Sequence, residues 1–205
     1  MTHFTFVSIF QYLATLILIL FYSIYFGKMI IQRRKGIVTD QMGRGNKGRK
    51  LFYTELFLKI ATYSVLIVEI ISIVHNTTLS FLLLKIFGII LGVIGVVIFG
   101  IAVFTMRDSW RAGISEKDKT ELVTNGIFSI SRNPAFLAFD LIYLSLLFCF
   151  FNWVLLVFTL WAIIMLHLQI KQEEVFLTSI FKEEYTEYRQ YTNRYFGKSS
   201  KKQLN

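Results

Sequence analysis

The chain has 205 residues, of which 55% are hydrophobic and 17% charged, and a formal net charge of +9. A soluble domain of this length does not carry so much apolar surface, so the composition excludes an ordinary soluble enzyme and points to an integral membrane protein. The positive charge does not signal nucleic acid, because the cations gather in alternate inter-run segments, as membrane topology demands.

Five apolar runs follow in order: Phe4–Phe26, Phe52–Val74, Phe81–Phe104, Ala135–Phe151 and Trp153–Leu168. Each is near the length of a bilayer crossing. The expected fold is an all-α integral membrane protein with about five transmembrane helices and a C-terminal amphipathic cytoplasmic helix. Residues 1–205 read as a single membrane domain, with three N-terminal transmembrane helices in 1–104 and a site-bearing half in 105–205. The first run has no basic n-region and no small-residue cleavage site, and is read as a retained span. The last two runs are short and nearly contiguous, which suggests a tight hairpin.

Lys28, Arg33, Arg34, Lys35, Arg44, Lys47, Arg49 and Lys50 fill the segment after the first run. Arg107, Arg111, Lys117, Lys119 and Arg132 fill the segment after the third, and Lys171 to Lys202 supply the tail. The loops near His75-Asn76 and Asn152 carry no lysine or arginine. This pattern places the N-terminus outside and the C-terminus in the cytoplasm. Gly43 to Gly48 fits Gly-x-Gly-x-x-Gly, but no strand precedes it, so it is read as a basic loop near headgroups. Asn76-Thr77-Thr78 is a formal glycosylation sequon, discounted for its closeness to the membrane.

Within the runs, Gly88, Gly92, Gly95 and Gly100 are read as a close-packing face against another helix of this chain. Glu69, Lys85 and Asp140 are costly in hydrocarbon, and read either as substrate-cavity or relay groups, or with Lys85 snorkelling to an interface while Glu69 and Asp140 face other helices. Cys149 is alone, and His3, His75 and His167 are scattered, so neither a disulfide nor a metal site is expected.

The chemistry concentrates between Met106 and Tyr195. Gly126, in Leu122-Val123-Thr124-Asn125-Gly126-Ile127-Phe128, permits a tight turn and close backbone approach to a ligand. Pro134 pushes Asn133 out of helical geometry and suits the first turn of the next helix. Arg132 beside that helix N-terminus favours an anionic group. About forty residues later, Glu173-Glu174 returns to the same membrane face, where a carboxylate pair can bind an ammonium or share a proton. His167, Lys171 and Glu174 fall on one helical face. The tail to Tyr195 is amphipathic, with Phe176, Leu177, Ile180, Phe181 and Tyr185 at core-like spacing.

As an ordered set, Leu122–Phe128, Ser131-Arg132-Asn133-Pro134-Ala135-Phe136, His167 to Leu177 with its Glu173-Glu174 pair, and Phe181 to Tyr188 resemble the isoprenylcysteine carboxyl methyltransferase family. That family shares this C-terminal signature with phospholipid N-methyltransferases. The resemblance implies an S-adenosylmethionine-dependent membrane methyltransferase whose 105–205 half binds the cofactor. Its acceptor would be lipophilic, the carboxylate of a prenylcysteine-like or other lipid-like small molecule, entering from the bilayer among membrane lipids. By position, Leu122, Val123, Gly126, Phe128, Asn133, Pro134, Glu173 and Glu174 would contact the cofactor. Arg132 would hold a carboxylate acceptor, and Glu174 or His167 would serve as base for an amine or hydroxyl. Phe128 and Phe136 stand where the family commonly has Tyr, and Asn133 where it often has His. Asn133 and the short chain point to a bacterial inner or plasma membrane. Two other readings stay open: an NADPH-dependent membrane reductase of the sterol reductase type, and a non-enzymatic lipid-binding protein.

Overall fold

A computed structural model describes residues 8–44, 47–76, 80–114 and 121–198. Five helices account for most of them: α1 (Ile9–Arg34), α2 (Arg49–His75), α3 (Leu82–Met106), α4 (Pro134–Cys149) and α5 (Trp153–Tyr191). There is no strand among the described residues; Asp40 and Ala112, and Thr192 and Lys198, form isolated bridges only. The protein is an all-α integral membrane protein. α1, α2, α3 and α5 are long and apolar enough to cross a bilayer, while α4 has 16 residues. Their outward faces carry large apolar side chains such as Leu83, Val74 and Trp153, as lipid contact requires.

Local chemistry sets the helix ends. Ser8 and Gln11 form a reciprocal capping box at the start of α1, which satisfies two otherwise orphaned amides. Asn152 accepts from the Leu155 amide at 2.8 Å and starts α5 only three residues after α4 ends. Pro134 occupies the first turn of α4, where its missing N–H costs nothing.

The glycine face of α3 lies directly on α4. A Cβ added at Gly88 would stand 2.7 Å from the Ser145 carbonyl oxygen, and one at Gly95 would stand 3.2 Å from that of Ala138. The glycines therefore pack within the chain, as their spacing suggests. Gly100 differs, meeting only Ile24 of α1 at 3.6 Å. Below this seam the core is aromatic: Phe21 sits 4.4 Å from Phe99 and 4.8 Å from Phe139, centroid to centroid.

Two expectations change. The last run and the amphipathic tail form one 39-residue helix, broken only at Lys182 (φ 46, ψ −113), which turns its final part back toward the bundle. The first basic segment is not wholly a headgroup-facing loop. Lys47 is buried and pairs at 2.6 Å with Glu55, which is fully buried. Glu55 also accepts from the Gly43 and Ile114 amides, both at 2.9 Å. Thr39 and Gln41 bond the backbone of Ala112, so the segment after α1 is strapped to the segment after α3. Gly45, Asn46, Thr77, Thr78, Lys117, Lys119 and the lysines beyond Lys198 lie outside the described residues.

Candidate active site

The site begins with the turn Gly126–Ser129, a short 3₁₀ segment entered through Gly126 at φ +58. A side chain there would be strained. The turn is held from above by the chain's last described stretch. The Tyr188 hydroxyl donates to the Phe128 carbonyl at 2.5 Å, and the Arg132 and Gly197 amides donate to Asn193 and Ile130 carbonyls at 3.1 and 2.8 Å. The Asn133 side-chain amide donates to the Arg194 carbonyl at 3.1 Å. The Arg-Asn-Pro corner is thus clamped by residues sixty positions away.

Adjacent carboxylates separate at this point. Glu174 is buried and accepts from Arg194 at 3.0 and 2.6 Å. It also pairs with Arg132 at 3.1 Å. Burial alone would raise its pKa, but the Arg194 hydrogen bonds and the charges of Arg132, Arg194 and Arg189 hold it below the ordinary carboxylate value. Arg132 keeps two buried donors, Nε and Nη1, without a hydrogen-bond partner among the described residues. Glu173 faces the other way, with one hydrogen bond from Gln169 at 3.2 Å. Burial pushes its carboxyl up to about 7, against that hydrogen bond.

Arg132 and Glu173 both line an open cleft, about 960 Å³ with its solvent mouth included, at the end of the bundle that carries the basic segments. Leu122, Val123, Phe128, Asn133 and Pro134 line it too, as the sequence suggests. Gly126, Glu174 and His167 do not. Gly126 shapes the turn behind the wall, and Glu174 holds Arg132 in place. His167 pairs through Nδ1 with the Tyr195 hydroxyl.

Sequence reasoning missed part of the wall: Trp110, Gly113, Ile114, Phe176, Tyr185 and Tyr188. The aromatic density of Phe176 to Tyr188 was a usable signal; Trp110 to Ile114 carried none, because long-range bonds to Gln32, Thr39, Gln41 and Glu55 bring them in.

A second cavity, about 830 Å³ with its open mouth included, runs into the membrane bundle and shares Trp110, Arg111, Gly113, Ala135 and Phe136 with the cleft. Its deeper walls are aromatic and come from helices read as topology only: Tyr22, Tyr25 and Phe26 of α1 and Tyr63 of α2. Gln169, fully buried, lines this second cavity and donates to Glu173 of the first. One polar side chain therefore sits where the two spaces meet.

A polytopic helical membrane protein with a charged cleft opening onto an apolar intramembrane cavity has the architecture to bring a polar reagent to a lipid-like one. Across residues 86–179 the chain matches the family model described as isoprenylcysteine carboxyl methyltransferase (ICMT) family, so this stretch is similar to that family. The match starts inside α3, runs through the Arg-Asn-Pro corner and the Glu pair, and supports a membrane methyltransferase in general. No curated protein matches the chain. Members of this family generally depend on S-adenosylmethionine.

Proposed function

We propose that the protein transfers a methyl group from S-adenosylmethionine to a lipophilic acceptor, the carboxylate of a prenylcysteine-like or other lipid-like small molecule, that enters from the bilayer. The observation that carries this reading is the pair of cavities with a common wall, one charged and one aromatic. The residues of the charged cleft fit the cofactor's own charges. Arg132 offers two unpartnered buried donors to a carboxylate, and Glu173 offers a carboxyl to an ammonium. Leu122, Val123, Phe176 and Leu177 supply an apolar wall for a flat base.

When bound, S-adenosylmethionine supplies an already activated methyl group. The chain's task is then alignment and exclusion of water. Glu174 fixes the Arg132 guanidinium through a short charge-assisted contact, and Arg194 completes that triad. Trp110, Ala135 and Phe136 form the partition through which acceptor and donor meet. A carboxylate acceptor is already nucleophilic and needs no proton removed. For an amine or hydroxyl, Glu173 stands nearer the reaction space than Glu174 or His167, with a pKa suited to accept a proton near neutrality. The positive-inside pattern of the basic segments supports a cytoplasm-facing cleft with the N-terminus outside, and we read the membrane as a bacterial inner or plasma membrane.

Calorimetric titration of the detergent-purified protein with S-adenosylhomocysteine, with NADPH as control, tests the reading. Saturable binding of S-adenosylhomocysteine, weakened by about tenfold or more in Glu173→Gln, is expected from loss of one charge-assisted contact. Silence toward S-adenosylhomocysteine together with NADPH binding would replace the methyltransferase with a reductase.

A further inference from the structure

The inner end of the aromatic cavity stops on Tyr22 of α1 and Leu66 of α2. Immediately beyond it lies a layer of polar side chains that neither the fold nor the proposed reaction uses. Glu69 follows Thr62 and Leu66 on the same face of α2, seven and three residues on. Tyr143 follows Phe136 and Phe139 on α4, and Thr159 lies seven residues back from Leu166 on α5. Three helices thus deliver a polar group beyond the residues that line the cavity. Glu69, Tyr143 and Thr159 are each 0% exposed. Both Glu69 oxygens, the Tyr143 hydroxyl and the Thr159 hydroxyl have no hydrogen-bond partner among the described residues. Asp140, three residues before Tyr143 on the same face of α4, adds a further buried oxygen without a partner among them.

Polar groups buried in a bilayer persist only where something meets their hydrogen-bonding capacity. Here the capacity is that of two carboxyls and two hydroxyls, and each hydroxyl both donates and accepts. The only cation among the residues lining the cavity is Arg111, at its opposite end. A ligand reaching this layer must bring a polar group that hydrogen-bonds.

We propose that Glu69, Tyr143 and Thr159, with Asp140 and Tyr22 beside them, form an intramembrane site for a hydrogen-bonding polar end group, an amine or hydroxyl, of an elongated lipophilic ligand whose apolar body fills the aromatic cavity. The proposal rests on the reading of that cavity as the acceptor's site, and narrows the acceptor to molecules polar at both ends. A purely hydrocarbon tail leaves the layer unsatisfied.

Trp110 lines the cavity, so its emission reports occupancy once Trp153→Phe and Trp161→Phe remove the other tryptophans. The test is titration of that protein in nanodiscs with a long-chain hydrocarbon, primary alcohol and primary amine of one chain length. The alcohol or the amine should bind about tenfold tighter than the hydrocarbon, as one or two buried hydrogen bonds imply. Glu69→Gln and, independently, Tyr143→Phe should erase most of that advantage and leave hydrocarbon binding unchanged. Equal binding of the three probes, or an advantage that survives both substitutions, overturns the polar site. Failure of every probe to bind overturns the cavity reading and this site with it. S-adenosylhomocysteine titration of the same sample then shows separately whether the cofactor cleft stands. Tyr143→Phe keeps the test decisive if Glu69→Gln does not fold.

Discussion

Glu173 and Glu174 are neighbours in the chain and diverge by about 100° around the helix, and that angle gives them different work. Glu174 turns to Arg132 and Arg194, while Glu173 turns to the cleft. Burial lifts Glu173 from the ordinary 4.5 to about 7. Between those values the folded protein holds a proton that the unfolded chain has released. This group's contribution to stability therefore falls as pH rises through the window and levels off above about 7. For a cationic ligand the sign reverses, because only the ionised carboxylate attracts it. S-adenosylhomocysteine affinity should climb as pH rises through about 7, and Glu173→Gln should remain weak and flat over the same range. Glu174 is shifted down, so it does not produce that rise. Calorimetry at stepped pH on the two proteins checks this, and an identical rise in the variant would assign the titration to another group. The sequence showed a carboxylate pair at the membrane face. Which member faced the ligand depended on the rotation of α5, which is set by packing far from the pair.

The glycine face of α3 shows how much an element's sequence reveals. Spacing alone marked Gly88, Gly92, Gly95 and Gly100 as a packing face, and three of the four press on α4. The fourth could not be told apart, because spacing carries no information about which helix stands opposite. Gly88→Ala should destabilise the bundle by about 1–3 kcal/mol, since the new methyl group would meet the Ser145 carbonyl oxygen at 2.7 Å and backbone cannot step aside. Gly100→Ala, with only Ile24 at 3.6 Å, should stay within about 0.5 kcal/mol. Thermal unfolding of both variants in one detergent provides the comparison; equal losses would mean that helix propensity, not the α3–α4 seam, decides. The kink at Lys182 lay beyond sequence reading for a different reason. The amphipathic pattern continues through it, so nothing local announces the turn that returns Tyr185 and Tyr188 to the cleft.

The whole molecule depends on which side of the membrane its cleft faces. A cysteine placed by Lys35→Cys in a Cys149→Ser background should react with an impermeant maleimide only after cells are opened, because Lys35 is exposed in the segment after α1. Labelling of intact cells would turn the cleft outward, away from a cytoplasmic methyl donor. Composition and the alternation of basic segments determined by themselves that this is a helical membrane protein. The ordered motifs around Arg132-Asn133-Pro134 and Glu173-Glu174 determined its likeness to a methyltransferase family. These properties are legible because hydrocarbon length, loop charge and local turn chemistry are all written in consecutive residues. Tertiary structure decided the rest: that Trp110 to Ile114 reach the cleft through Gln32, Thr39, Gln41 and Glu55, that α1 and α2 supply an aromatic cavity, and that Glu69, Tyr143 and Thr159 are buried without partners among the described residues. Those arrangements join residues from different helices, and no run of sequence records the rotation and depth at which helices meet.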